Sequence, residues 1–214
     1  MTGQRVVCVL RSGGVYKPSH VQELQRQVSM HLPSADFFCM SDVQVDGVEV
    51  IPLAHGWPGW WSKMNLFHPS IRGDLLYIDL DTVIVGDLSD LASLGRTTML
   101  SDFYYHERPA SGLMYLTESD RSKVWAAWTA DPKEAMRKCM RHGDQQFIGE
   151  VLHDAQRFQD VLPGRVVSYK VHVAKGLNKR SIGDGTVPAG ASVVCFHGRP
   201  RPWHLKAEWV PSYG

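Results

Sequence analysis

The 214-residue sequence is short of the features that most directly announce a function. Its four cysteines, Cys8, Cys39, Cys139 and Cys195, are widely spaced and include no Cys-x-x-Cys pair. That spacing argues against a zinc knuckle or a redox dithiol and leaves small buried thiols in a reducing compartment. An excess of either charge is also lacking: 23 Lys and Arg face 22 Asp and Glu, for a formal net charge of +1. No bulk field therefore draws the chain to nucleic acid or to an acidic membrane. No apolar run is long enough for a signal peptide or a membrane span, so the expected location is cytoplasmic. Repeats, low-complexity tracts and a dividing linker are missing as well. What remains is 43% hydrophobic and 21% charged, enough to bury one substantial core across residues 1–214.

The chain is organised around the run Leu75 to Val85, an apolar stretch bounded by Gly73-Asp74 and Gly86-Asp87 and interrupted by Asp79 and Asp81. Its composition predicts a central strand. An unpaired ionised carboxylate is very costly to bury, so the two acids must sit at a strand end, facing water or a cation. Side chains alternate along a strand, and residues i and i+2 share a face. Both carboxylates can therefore converge on one ion.

The flanking segments predict an α/β fold. Val6 to Leu10 reads as a buried strand, Arg11 to Gly14 as a turn, and Ser19 to His31 as a helix with Ser19 as N-cap and Pro33 as stop. Ala35 to Met40 and Val48 to Leu53 are further strands. Ligands bind beyond the carboxyl ends of such strands, which marks Arg11 to Gly14 and Ser41-Asp42 as a binding edge. The loop Gly56 to Trp61 carries three tryptophans, either a stacking surface for a sugar or base or aromatic packing beneath the loop, the commoner fate. Lys63 opens a short helical stretch, and Asp87 to Leu91 starts another. Thr98 to Asp102 and Ala110 to Leu116 are predicted strands, and Ser119 to Trp128, Pro132 to Met140 and a segment from His142 through Leu152 are predicted helices. Val161 to Tyr169 is an expected strand, Lys170 to Gly190 an expected mobile basic loop, and Ala191 to Phe196 the last strand, leading into His197 to Trp203.

Asp79, Asp81, Asp144, His197 and the basic groups Lys63, Arg199 and Arg201 all fall at predicted element ends. Two carboxylates and an imidazole suit Mn²⁺ or Mg²⁺, with positions left for phosphate oxygens. Such an ion is a Lewis acid for a leaving pyrophosphate, and Lys and Arg beside it take further phosphate charge. Asp79-Leu80-Asp81-Thr82-Val83 also fits the nucleophile motif of haloacid-dehalogenase-like phosphatases, in which the first aspartate attacks phosphorus. That motif usually lies on a first strand and needs a later Gly-Asp-x-x-x-Asp. Here a whole α/β unit precedes Asp79, and neither Gly143-Asp144 nor Gly183-Asp184 has the second aspartate. A transferase ranks above the phosphatase, and a non-catalytic nucleotide- or sugar-binding module is a third reading.

The combined motifs resemble the metal-dependent sugar transferases of the GT-A fold, especially the family 8 type that includes glycogenin-like and lipopolysaccharide galactosyltransferase-like enzymes. The likeness runs from Trp60 to Trp203. It comprises Lys63 in a helix before the metal motif, Tyr77-Ile78-Asp79-Leu80-Asp81-Thr82, Gly86-Asp87-Leu88, Ser111-Gly112-Leu113-Met114, Gly143-Asp144-Gln145 and Phe196-His197-Gly198 with Arg201-Pro202-Trp203. Departures are Ala110 and Gly149 where asparagine is common, and Arg201 in place of lysine. The resemblance implies one GT-A-like, Rossmann-like domain with a mixed, mainly parallel sheet flanked by helices. Residues 1–90 would be its nucleotide half and 91–214 its acceptor half. It implies transfer, with retention, of a sugar from a nucleotide-diphosphate donor, expected to be a UDP-sugar, to a hydroxyl of a carbohydrate or related acceptor. Asp79, Asp81 and His197 would hold Mn²⁺ or Mg²⁺. Lys63, Arg199 and Arg201, with Lys170, would meet the phosphates, and Leu10, Arg11, Ser12, Gly13, Leu80 and Gly198 would adjoin the nucleotide. Asp144 and Gln145 would orient sugar and acceptor. No nucleic-acid partner and no membrane span are expected.

Overall fold

The computed structural model describes residues 3–213. In chain order it runs β1 (Arg5–Leu10), α1 (Pro18–His31), β2 (Asp36–Ser41), β3 (Glu49–Pro52), a 3-10 helix (Gly59–Phe67), β4 (Leu75–Ile78) and β5 (Thr82–Ile84). Next come β6 (Thr98–Ser101), β7 (Pro109–Leu116), α2 (Glu118–Ala130), α3 (Pro132–Lys138) and α4 (Asp144–Val151). The chain finishes with β8 (Gln156–Arg157), α5 (Phe158–Val161), β9 (Val166–Ser168), a π-helical turn (Tyr169–Val173), β10 (Val193–Cys195) and a short 3-10 turn (Pro202–His204).

Seven strands form the main sheet in the order β3-β2-β1-β4-β7-β6-β8, parallel from β3 to β4 and antiparallel on both sides of β7. One face carries the core of Val6, Cys8, Leu24, Val28, Ile78 and Leu113, covered by α1. The other carries Val7, Phe38, Tyr77, Met114, Trp128 and Ile148, covered by the Gly59–Phe67 helix, α2 and α4. Burying both faces is what gives these strands near-continuous apolar runs. The mixed α/β architecture expected from the sequence is present, and all four cysteines are free and buried. Among the described residues no helix is long and apolar enough to cross a membrane.

The largest correction concerns the central run. Leu75 to Val85 is two strands in two sheets: β4 lies in the main sheet, while β5 pairs antiparallel with β10 in a three-stranded sheet ordered β5-β10-β9. Asp79 still donates its N–H to Gly112 O at 2.9 Å, and after it the chain leaves the main sheet. Two acids with one residue between them mark the crossing, where the Asp79 side chain is partly open to solvent and Asp81 is buried against Arg201 instead of facing water. Three smaller corrections follow. Lys17, not Ser19, is the N-cap of α1, because Pro18 fits the first turn and His20 Nδ1 accepts the Lys17 N–H at 3.1 Å. The segment from Asp87 to Leu91 makes turns rather than a helix, and buries Leu88 and Leu91. The expected strand Val161 to Tyr169 shortens to β9, with α5 ahead of it. Lys170 to Gly190 opens with the π-helical turn, to which Ser181, Ile182 and Gly185 are hydrogen-bonded.

Candidate active site

A cavity of about 750 Å³ opens where β1 and β4 end. Asp79 and Asp81 stand between its two walls. The Gly59–Phe67 helix and α4 supply Trp60, Lys63, Asp144 and Gln145 from one face of the sheet, and the other side is built by Tyr16, Phe103, His197 and Arg201.

Lys63 is the hub of a buried ionic network. Its Nζ lies 3.3 Å from Asp79 Oδ1 and 3.1 Å from Asp144 Oδ2. It also donates to Ser111 Oγ at 3.0 Å and to Ser111 O at 3.3 Å. Ser111 Oγ donates in turn to Asp144 Oδ2 at 2.6 Å, and the Tyr77 hydroxyl donates to Asp79 Oδ1. Four elements meet here: the 3-10 helix gives the lysine, the end of β4 Asp79, β7 the serine and the first residue of α4 the second acid. Lys63 and Asp144 are only 8% and 6% exposed. Burial pulls the Lys63 ammonium down, but Asp144 and Asp79 outweigh it and hold the lysine above its ordinary value. Burial, followed by the Asp79 charge, pushes the Tyr77 hydroxyl far up, so it stays a proton donor to that carboxylate.

Asp81 is paired across the cleft. Arg201 Nη1 donates to Asp81 Oδ2 and, at 2.9 Å, to the Tyr16 hydroxyl, with the guanidinium 5.3 Å from the centroid of the Tyr16 ring. His197 Nε2 is hydrogen-bonded to Ser168 Oγ at 2.7 Å, and its ring stacks on Phe103 at 5.5 Å. Burial, and then the Lys170 charge, lower the His197 pKa to about 4, so the imidazole is neutral near pH 7. The first loop is pinned from behind: Asp42 accepts the Ser12 N–H at 2.8 Å and its Oγ–H at 2.7 Å, and pairs with Arg11 at 3.3 Å. Burial acts to raise the Asp42 pKa, but these donors hold the carboxyl below its usual range.

Of the residues singled out in the sequence, Arg11, Ser12, Gly13, Lys63, Asp79, Asp81, Asp144, Gln145, His197, Gly198 and Arg201 all line this cavity. Leu10 and Leu80 do not line it; both belong to the core. Lys170 supports the wall from behind, donating to His197 O at 2.6 Å, and Arg199 is exposed away from the lining. Sequence reasoning left out Tyr16, Ser168 and Phe103 and gave Tyr77 and Ser111 no role of their own. Tyr77 was legible, since it shares the i, i+2 face with Asp79. Tyr16 and Phe103 reach the site through tertiary packing and carried no local signal. Gly149 has a structural reason: a Cβ there would fall 2.1 Å from Pro109 Cγ, so asparagine does not fit.

Among the described residues no three carboxylate, imidazole or thiol groups form a ready-made metal cluster. The donor chemistry nevertheless suits a divalent cation. Asp79 Oδ2 and Asp81 Oδ1 have no hydrogen-bond partner among the described residues, and the neutral imidazole of His197 lines the same cavity. These three side chains would hold the ion.

No family profile and no curated protein matches the sequence. Solved structures do. The galactosyltransferase LgtC, whose structure was determined with donor and acceptor sugar analogues, aligns with a TM-score of 0.65 at 12% identity, over 94% of this chain and 89% of that one. The glycosyltransferase GlyE of Streptococcus pneumoniae TIGR4 aligns at 0.67 and 13%, over 97% of this chain but only 57% of that one. Mouse xyloside xylosyltransferase 1 aligns at 0.51 and 12%, over 92% and 97%. The chain thus spans most of LgtC and little more than half of GlyE. At these identities the likeness is one of architecture, and that architecture is the GT-A fold of sugar transferases.

Proposed function

We propose that the protein is a nucleotide-sugar-dependent glycosyltransferase, moving a sugar from a nucleoside-diphosphate donor, a UDP-sugar, to a hydroxyl of a carbohydrate acceptor, with retention and with Mn²⁺ or Mg²⁺ as cofactor. The observation that carries this reading is the placement of Asp79 and Asp81 at the crossing between two sheets, with Lys63 and Asp144 on one side and Arg201 on the other, inside a cavity of about 750 Å³. A diphosphate needs such a mixture of fixed cations and metal-binding carboxylates.

The loop from Arg11 to Gly14, held by Asp42, accommodates the nucleotide end. When bound at Asp79, Asp81 and His197, the cation supplies a Lewis acid for the departing diphosphate. Arg201 adds fixed positive charge there, and its fork suits phosphate oxygens. Lys63 keeps Asp79 and Asp144 apart and aligned, and Tyr77 fixes the orientation of Asp79. Asp144, held by Ser111 and Lys63 at the start of α4, would accept hydrogen bonds from the transferred sugar, with Gln145 beside it in the cavity lining. Phe103 lines the same cavity with its ring stacked on His197 at 5.5 Å, which holds the imidazole in place. Asp79 acting as a phosphatase nucleophile has less support, because one of its oxygens is already shared by Tyr77 and Lys63 and the fold is that of sugar transferases.

The test is an assay of donor hydrolysis and transfer over a panel of nucleotide-sugars with Mn²⁺, using the wild-type protein and Asp144→Asn. Turnover of at least one donor, reduced by two or more orders of magnitude in the variant, supports the reading. Failure of every donor, or phosphoester hydrolysis abolished by Asp79→Asn, overturns it.

A further inference from the structure

The three tryptophans of the Gly56 to Trp61 loop have separate fates. Trp57 stacks on His55 at 4.4 Å and meets Trp128 edge-on at 5.1 Å, while Trp61 stacks on Trp128 at 5.2 Å. Trp60 makes no aromatic contact among the described residues, although the other six tryptophans of the chain all do. It is 58% exposed and lines the mouth of the cavity. Leaving a large aromatic surface in water forgoes burial that folding could otherwise use, so an open indole at a binding cleft points to a ligand.

The indole is also seated. A Cβ placed on Gly143 would lie 2.6 Å from Trp60 Nε1, 2.9 Å from Cε2 and 3.0 Å from Cδ1. An approach in the ring plane would leave both carbons much farther away than the nitrogen. The near-equal distances put Gly143 over one face of the pyrrole ring. Gly143 is the N-cap of α4, immediately before Asp144. One face of Trp60 therefore rests on the turn that positions the buried acid, and no side chain could replace the glycine without displacing the ring. Trp60 Nε1 has no hydrogen-bond partner among the described residues, so a donor is available at the rim.

We infer that Trp60 is the acceptor platform, and that the acceptor is a pyranoside whose C–H face stacks on the indole beside Asp144. This rests on the transferase reading. The donor's sugar, joined to a diphosphate at Asp79 and Asp81 and reaching the nearly buried Asp144, must lie deep, whereas Trp60 lines the same cavity from its exposed place against Gly143. A ligand held there continues into solvent, as the end of a saccharide does. An apolar ring face matches an aromatic plane, and a hydroxyl beyond its edge can accept from Nε1. A serine or threonine hydroxyl could accept from Nε1 but brings no ring face to cover the indole.

The experiment titrates methyl α- and β-D-glucopyranoside and -galactopyranoside, with glycerol as a non-stacking control, into wild-type, Trp60→Ala and Trp60→Phe proteins saturated with UDP and Mn²⁺. Binding is followed by saturation-transfer NMR, and UDP binding is measured in parallel. The expected result is that at least one pyranoside binds the wild type and weakens about tenfold or more in Trp60→Ala, that Trp60→Phe recovers part of the loss, and that UDP affinity differs by less than twofold. Equal pyranoside binding by wild type and Trp60→Ala, binding of none of the four, or equal recovery in Trp60→Phe and Trp60→Ala overturns the platform while leaving the transferase reading intact. Absence of UDP binding by the wild type overturns both.

Discussion

Replacing Lys63 with methionine tests the ionic network at its hub. The ammonium is buried, lies within 3.3 Å of both Asp79 and Asp144, and is bonded to Ser111. Methionine matches its length and removes its charge, leaving two carboxylates facing each other with no cation between them. Removing one partner of a buried ion pair costs about 3 to 5 kcal/mol. The Asp79 side chain is 31% exposed, which relieves part of that cost, so the lower end, about 3 kcal/mol, is expected. For a chain of this size that corresponds to a melting temperature lowered by roughly 6 to 12 °C. The loss should shrink when Asp144→Asn is added, because the amide removes one of the stranded charges, and the coupling between the two substitutions should be about 1 to 3 kcal/mol. Urea unfolding of the two single variants and the double variant measures all three quantities. A loss under about 1 kcal/mol for Lys63→Met, or strictly additive effects in the double variant, would refute a shared counter-ion.

Gly149→Ala should destabilise the protein by about 1 to 3 kcal/mol without altering UDP affinity, because the added Cβ collides with Pro109; thermal denaturation beside UDP titration checks both halves. Burial, then the Lys17 charge, lower the His20 pKa to about 4, below its unfolded value near 6.5. The unfolded chain therefore binds the extra proton first, so the stability from a neutral His20 is complete above pH 6.5 and is lost as the pH falls toward 4. The slope approaches about 1.4 kcal/mol per pH unit, and urea unfolding of His20→Phe across this window should show a shallower decline than wild type. Arg201→Met removes the pairing to Asp81 and Tyr16 and should weaken UDP binding by about tenfold or more, read by calorimetric titration with Mn²⁺ present.

Much of the site was legible because its chemistry lies at element ends. Asp79 and Asp81 could not both be interior to a buried strand, and the structure puts them at the crossing between sheets. Only the pairing of β5 with β10 decides that the run divides, and β10 lies more than a hundred residues away, so no local pattern announced it. Lys63 illustrates the same limit: its position before the acids was readable, but its bonds to Ser111 and Asp144 depend on two other elements, β7 and α4. The basic segment after Lys170 looked like a free loop because glycines and charges dominate it, yet its backbone is tied to the π-helical turn. The tryptophan loop held packing and exposure together, and only the three-dimensional surroundings of Trp60 separate it from its neighbours.

The most direct test of the central claim is thermal unfolding with UDP, with Mn²⁺, and with both, for the wild-type protein and Asp81→Ala. If Asp79 and Asp81 bind a cation that in turn binds the diphosphate, UDP and Mn²⁺ together raise the wild-type melting temperature by more than the sum of their separate effects, and Asp81→Ala loses that excess. No metal-dependent stabilisation by UDP in the wild type, or an undiminished excess in Asp81→Ala, would contradict it.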